Sequence, residues 1–199
     1  MLRPKTAQPE VATERLVTRE RDILLIGRVA SGDVGAFETL YQGFHPRLRR
    51  FVERVTRRAQ LVDEIINDTM LVVWRKAGTY DLSSSVSTWI FAIAFRKSLK
   101  ALKAVDDPVE ADDDAHPEPE GRGPYNALLG QEVRSVVGRA LQTLSAEQRA
   151  VVELTYYQGC GYREIAEIMG CPVDTVKTRM FHARRKLKAL LAESGGDLR

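Results

Sequence analysis

The chain has 199 residues, 44% hydrophobic and 29% charged, with a formal net charge of +3. That length suits one domain or two small ones with ordinary apolar cores. The small net charge excludes a uniformly basic protein, so the placement of charge matters more than its sum.

No apolar run approaches the roughly 20 residues of a membrane span, so no membrane insertion is expected. The opening stretch MLRPKTAQPEVATERLVTRERD has basic residues with no apolar core behind them. That pattern does not fit a secretory signal and makes the cytoplasm the expected location. Cys160 and Cys171 do not form a disulfide framework. No CxxC or HxxxH spacing joins them to His182 as a metal site, so half-buried free thiols are expected, with no metal and no cofactor.

In chain order, residues 1–20 are polar, contain Pro4 and Pro9 and lack a period, which predicts a disordered tail. Helical spacing begins near Ile23, and RDILLIGRVASGD predicts a short helix ending near Gly32. DVGAFETLYQGF predicts a second helix with Asp33 as N-cap, interrupted or restarted at Pro46 and continuing as PRLRRFVERVTRR. In LVDEIINDTMLVVWRKA, the residues Val62, Ile65, Ile66, Val72 and Val73 repeat at helical spacing. Gly78 is its expected left-handed cap. TYDLSSSVS reads as a polar loop and TWIFAIAFRKSLKALK as the next helix.

Composition then shifts. VDDPVEADDDAHPEPEGRGP is acidic and Pro-rich, with little apolar surface to bury, and is expected to be a flexible linker. Helical periodicity returns in NALLGQEVRSVVGRALQTL, then SAEQRAVVELTYYQG, where Ser145 and Gln148 fit a capping box. No convincing strand appears. The expected architecture is all-α: a tail over 1–20, a helical domain over 21–104, an acidic linker over 105–125, a second helical domain over 126–192 and a tail over 193–199.

GYREIAEIMGCPVDTVKTRMFHARRKL has the form of a helix-turn-helix. Ile165, Ala166, Ile168 and Met169 face inward on the first helix. Gly170 stops it, Cys171 and Pro172 make the turn, and Pro172 is tolerated at a helix start. On the second helix Val173, Val176, Met180, Ala183, Leu187 and Leu190 form one apolar stripe. At about 100° per residue, Asp174, Thr178, Phe181 and Arg185 point away from it. Lys177 and Arg184 flank one side, and Thr175, Arg179 and His182 the other. Such a face of donors, positive charge and one exposed aromatic fits a DNA major groove. Most amphipathic basic helices are merely solvated on that side, but an outward Phe181 needs a partner.

The stretch LSAEQRAVVELTYYQGCGYREIAEIMGCPVDTVKTRMFHARRKLKALL resembles region 4 of bacterial RNA polymerase sigma factors of the extracytoplasmic-function (ECF) class, in the sigma-70 family. The matching family segments are "SYxEIA" and "GTVKSRLxRAR". The resemblance implies that region 4 binds the minus-thirty-five promoter element and packs on the flap of the polymerase beta subunit. Carried onto this chain, it assigns Lys177, Thr178, Phe181 and His182 to DNA, supported by Thr175, Arg179 and Arg185. Asp174 stands where the family often has Gly, and Pro172 where it often has Ser.

DEIINDTMLVVWRKAGTYD resembles the family's region 2 segment that clamps the beta-prime coiled coil. Glu64, Asn67, Asp68 and Leu71 share one helical face there and are the expected polymerase-docking patch, with Trp74 expected in the core. SSSVSTWIFAIAFRKSLKALK resembles the stretch that melts and reads the minus-ten element. Arg96, Lys97, Lys100 and Lys103 would form a cationic track, Tyr80 and Ser84 would belong to a loop holding an unstacked base, and Trp89 would be a stacking platform or a core residue. The family commonly has Asn where Arg96 stands and Asp where Lys100 stands, so an unusual minus-ten sequence is expected.

The resemblance covers residues from about 23 to 104 and 126 to 192. It implies a non-enzymatic specificity subunit that directs promoter-specific initiation on core RNA polymerase and is controlled by an anti-sigma factor. The acidic cluster Asp112 to Asp114 would imitate the charge of nucleic acid inside the polymerase. The rival readings are a free-standing helix-turn-helix regulator, a sigma mimic that sequesters an anti-sigma factor, and a metal-dependent nuclease using the Asp-rich stretch. The last lacks ligands held in fixed geometry.

Overall fold

A computed structural model describes residues 9–106 and 143–194. Among these the chain is all-helical, with seven α-helices and no strand. The expected acidic linker and the helix beginning near Asn126 fall almost wholly outside the described residues, as does the C-terminal tail beyond Ser194.

The first unit holds α1 (Pro9–Ala30), α2 (Val34–Thr56), α3 (Val62–Lys76) and α4 (Val86–Asp106). The expected tail therefore gives way to helix at Pro9. Proline is at home in a first helical turn, where its missing N–H costs nothing, and packing of α1 along α2 rewards the rest. α1 stops before Gly32, whose φ is +84°, and Asp33 caps α2 by accepting from the Ala36 N–H at 3.0 Å. The Arg28 guanidinium lies 2.7 Å from the same carboxylate.

α2 runs unbroken through Pro46, contrary to the expected interruption. The proline removes a hydrogen bond to the carbonyl of Gln42, and both residues are exposed, so water can serve that oxygen. The helix ends instead at Arg57, a non-glycine residue at φ +57° whose N–H returns to the Glu53 carbonyl. Gly78 does not take the left-handed role expected of it. α3 tightens into a 3₁₀ turn over Ala77–Thr79.

The apolar steps of α2 place Leu40, Phe44, Leu48, Phe51 and Val55 on one buried face. Ile65, Ile66, Met70 and Val73 of α3 meet them. Phe51 stands edge-on to Phe91 with centroids 5.2 Å apart. Truncating Phe51 to Ala would cost about 3–5 kcal/mol. Residues 90–95 of α4 are buried on every side. A helix apolar all round must be covered all round, and the second unit supplies one of those covers.

That unit holds α5 (Ala146–Tyr156), α6 (Tyr162–Met169) and α7 (Val173–Ser194). The expected capping box is present at its start: Ser145 accepts from the Gln148 N–H while the Gln148 side chain accepts from the Ser145 N–H. Gly170, at φ +62°, ends α6 in the left-handed conformation. α5 packs on α2 and α6 packs on α4.

Polar contacts cross the same boundary. Arg149 straddles the Val55 carbonyl through Nε at 3.1 Å and Nη2 at 2.7 Å, and donates to the Leu144 carbonyl. Burial pushes its pKa down to about 10, so it stays charged at neutral pH. Arg54 reaches Glu153, only 1% exposed, at 2.7 Å and covers the Tyr157 ring. Burial pushes the Glu153 carboxyl above its usual range, against the pull of Arg54.

Candidate nucleic-acid interface

Val176, Met180 and Ala183 are buried and Val173, Leu187 and Leu190 half-buried, so the expected inner stripe of α7 faces the protein. Thr178, Phe181 and Arg185 are exposed on the opposite face, Phe181 at 62%. Thr175, Arg179 and His182 are half-buried along one flank. The His182 ring stands edge-on to Phe181 at 5.5 Å. Arg179 points its Nη1 to the Cys171 sulfur at 3.5 Å, and Lys177 pairs with Asp174 at 2.9 Å. The exposed Lys177–Asp174 pair is a weak tie that an incoming phosphate can displace.

A shallow groove on this face is lined by Tyr162, Lys177, Phe181, Arg184, Arg185 and Lys188. Arg184 is anchored there by the Tyr156 hydroxyl at 3.0 Å. Lys188 and Tyr162 were not among the residues expected from sequence. Lys188 continues the spacing of Lys177, Phe181 and Arg185 by helical steps, and that signal was available.

The second cationic surface is on α4. Arg96, Lys100 and Lys103 are exposed on it. Lys97 is half-buried and lies 2.7 Å from Asp68 of α3. The preceding loop is internally braced. The Tyr80 hydroxyl donates to the Ser84 carbonyl, and Asp81 accepts from the Ser83 N–H at 3.0 Å. Hydrogen bonds from the Ser83 hydroxyl and backbone hold the Asp81 carboxyl below its usual range. Ser85 caps α4 through the Thr88 N–H. Tyr80 and Trp89 rings lie 5.5 Å apart and both pack partly on the core.

This bracing leaves one apolar side chain outside. Leu82 is 59% exposed and sits at φ +62°, a conformation uncommon for any residue but glycine. Sequence gave no signal for it.

Glu64, Asn67 and Leu71 of α3 are exposed together, with Asp68 beside them half-exposed. An apolar groove adjoins them, lined by Val34, Phe37, Tyr41, Met70, Leu71 and Trp74. Phe37 and Trp74 meet edge to face at 5.2 Å, and the Tyr41 hydroxyl donates to Asn67 at 3.3 Å. Trp74, expected in the core, is half-buried and forms a wall of this groove. Val34, Phe37 and Tyr41 come from α2, so the α3 sequence alone did not reveal half of the groove.

Among the described residues, no helix is long and apolar enough to cross a membrane, and no group of three or more His, Cys, Asp or Glu is placed to hold a metal ion. Cys160 and Cys171 are free and half-buried.

Comparison with known proteins finds two family segments in the chain. Residues 40–107 match the family description Sigma-70 region 2, and residues 134–187 match Sigma-70, region 4. The chain is 33% identical over 159 residues to the ECF RNA polymerase sigma factor RpoE of Cereibacter sphaeroides, spanning 78% of this chain and 86% of that protein. The chain belongs to the ECF sigma factors.

This ECF sigma factor is also 28% identical over 193 residues to the RNA polymerase sigma-H factor of Pseudomonas aeruginosa, covering 90% of this chain and 100% of the relative. Among solved structures, the fold resembles the sigma factor RpoE of Bartonella quintana in complex with the anti-sigma factor NepR. That match has a TM-score of 0.63 and 24% identity, covering 80% of this chain and 98% of the other. As sigma factors, members of the family are transcription initiation factors, and the all-helical pair of regions described above is their arrangement.

Proposed function

We propose that this sigma factor docks on core RNA polymerase through the α2–α3 groove and directs initiation by reading two promoter elements with separate helices. α7 takes the minus-thirty-five element. Its Thr178, Phe181 and Arg185 meet base edges and phosphates, with Thr175, Lys177, Arg179 and His182 alongside. α4 and the loop before it take the minus-ten element as it opens. Arg96, Lys100 and Lys103 follow the strand, Lys97 joins them when Asp68 releases it, and Tyr80, Ser84 and Trp89 receive an unstacked base.

The observation that carries this reading is the outward face of α7, where an exposed phenylalanine sits in a row of cations opposite a fully apolar stripe. A solvated helix has no use for that phenylalanine; a thymine methyl does.

The docking patch, Glu64, Asn67, Asp68 and Leu71, combines acids with an apolar centre beside the groove. That chemistry suits a cationic, amphipathic partner such as the beta-prime coiled coil, while region 4 meets the beta flap. A free-standing helix-turn-helix regulator would leave this groove without an occupant. The chain works in the cytoplasm, by binding rather than by a reaction of its own. A solved relative in complex with an anti-sigma factor supports the same kind of control here.

The decisive experiment combines the purified chain with core polymerase on a library of promoter fragments. Transcripts whose start sites depend on the chain and share two spaced elements are expected. Failure to associate with core, or association without any choice of start site, overturns the reading.

A further inference from the structure

Among the described residues, the non-glycine residues at positive φ are Arg57 and Leu82. Arg57 is accounted for by the end of α2, which its N–H closes on the Glu53 carbonyl. Leu82 has no comparable return. Its N–H closes no turn, and its side chain is 59% exposed. At φ +62° the Cβ of an L residue crowds the following carbonyl oxygen. Glycine would relieve that crowding, and asparagine would tolerate it. Leucine is disfavoured there twice, by its backbone and by its apolar surface in water.

The loop around Leu82 is pinned on both sides. The Tyr80 hydroxyl donates to the Ser84 carbonyl and so spans the residue, while the Ser83 N–H donates to Asp81 at 3.0 Å. Ser85 accepts from the Thr88 N–H at 3.0 Å and ties the far end to α4. The leucine is therefore held outward on a stiff support, next in the chain to the Tyr80–Trp89 ring pair. From Val86 at the start of α4, Arg96 is about 15 Å along the helix. That is roughly four nucleotides at 3.4 Å each. A strand following the cations of α4 arrives at this loop.

We propose that Leu82 is a wedge: its side chain enters the gap in the base stack left by the nucleotide drawn into the loop, and so keeps the minus-ten duplex from reclosing. This rests on the assignment of the loop and α4 to the minus-ten element. Leucine is among the side chains that hold base steps apart, because an apolar group fills the gap between two bases without offering them a hydrogen bond. A wedge must also resist being pushed aside, which the two-sided bracing supplies. Tyr80, Ser84 and Trp89 receive the displaced base; Leu82 acts on the stack it leaves.

The test uses the chain bound to core polymerase on a promoter that the wild type selects from the fragment library. A fluorescent adenine analogue in the minus-ten element reports unstacking. L82N and L82G suit the left-handed backbone and remove the wedge, whereas L82M keeps an apolar side chain. L82N and L82G should shorten the lifetime of the open complex about tenfold on duplex promoter. Their melting temperatures should stay within about 3 °C of the wild type, and their affinity for core should be unchanged. L82M should keep most of the wild-type lifetime. On the same promoter with a mismatched, permanently open minus-ten segment, no base pair can reclose, and all variants should match the wild type. An L82N open complex as long-lived as the wild type's overturns the wedge and leaves the minus-ten assignment standing. An equal loss on the mismatched template also overturns it, by making Leu82 a contact to the single strand. Weakened core binding overturns it by making Leu82 a docking residue. If the wild type opens no promoter, the assignment of the loop falls and the wedge falls with it.

Discussion

The Lys97 ammonium lies 2.7 Å from the Asp68 carboxylate, joining the cationic surface of α4 to the proposed docking face of α3. Neither group is deeply buried, so the pair adds at most about 1 kcal/mol to stability. Its meaning is competition. Asp68 cannot fully engage a cationic partner while Lys97 holds it, and Lys97 cannot fully engage DNA. D68N should weaken binding to core polymerase several-fold and leave the melting temperature within about 3 °C of the wild type. It should strengthen binding of the free chain to single-stranded minus-ten DNA. Fluorescence titrations with core and with the oligonucleotide check the two directions.

Leu71 is 44% exposed at the edge of the α2–α3 groove. Trimming it removes contact area that only a partner would cover. L71A should lower affinity for core polymerase by about 1–2 kcal/mol, roughly tenfold, with no loss of thermal stability. A variant that binds core normally would place the docking surface elsewhere.

Phe181 and Arg185 are both exposed on the outer face of α7, and the proposed reading gives them different work. R185A should weaken holoenzyme binding to all promoter fragments alike and reduce the slope of log affinity against log salt by about 1. F181A should act through sequence, costing about 1–3 kcal/mol on fragments with the preferred base opposite it and little on others. Salt titrations on matched and mismatched minus-thirty-five elements separate the two effects.

Asp33 gives a pH dependence with a definite sign. The Ala36 N–H, and then the Arg28 guanidinium, hold its carboxyl below the usual carboxylate range. A folded-state value below the unfolded one means a contribution fully present above the unfolded value of about 3.9 and lost as pH falls through the folded value. D33N keeps an acceptor at the N-cap without the titration. Its melting temperature should fall less steeply than the wild type's below pH 4, as followed by circular dichroism.

Helix-forming stretches with one clear apolar face were legible in the sequence. The α7 stripe, the Gly170 cap and the Ser145–Gln148 box all depend on residues within a few positions of one another, and all appear as expected. What failed was of two kinds. Pro46 and Gly78 carry strong local preferences that packing and solvent overrode. Arg57 and Leu82 adopt left-handed conformations that no local preference announces. For the candidate sites, the α3 half of the proposed docking groove was visible and the α2 half was not, because Phe37 meets Trp74 only in the folded chain. The pairing of Arg54 with Glu153 joins residues 99 positions apart, beyond the reach of any spacing argument.

α2 carries the proposed docking groove on Phe37 and Tyr41 near its start and the contact with α5 on Arg54 and Val55 at its end. At 1.5 Å per residue, Phe37 and Arg54 are about 25 Å apart on one rod. A tilt of about 10° at the groove would sweep the far end through about 4 Å, more than the length of a hydrogen bond. The helix is a lever arm, and whatever grips one tip has mechanical purchase on the other.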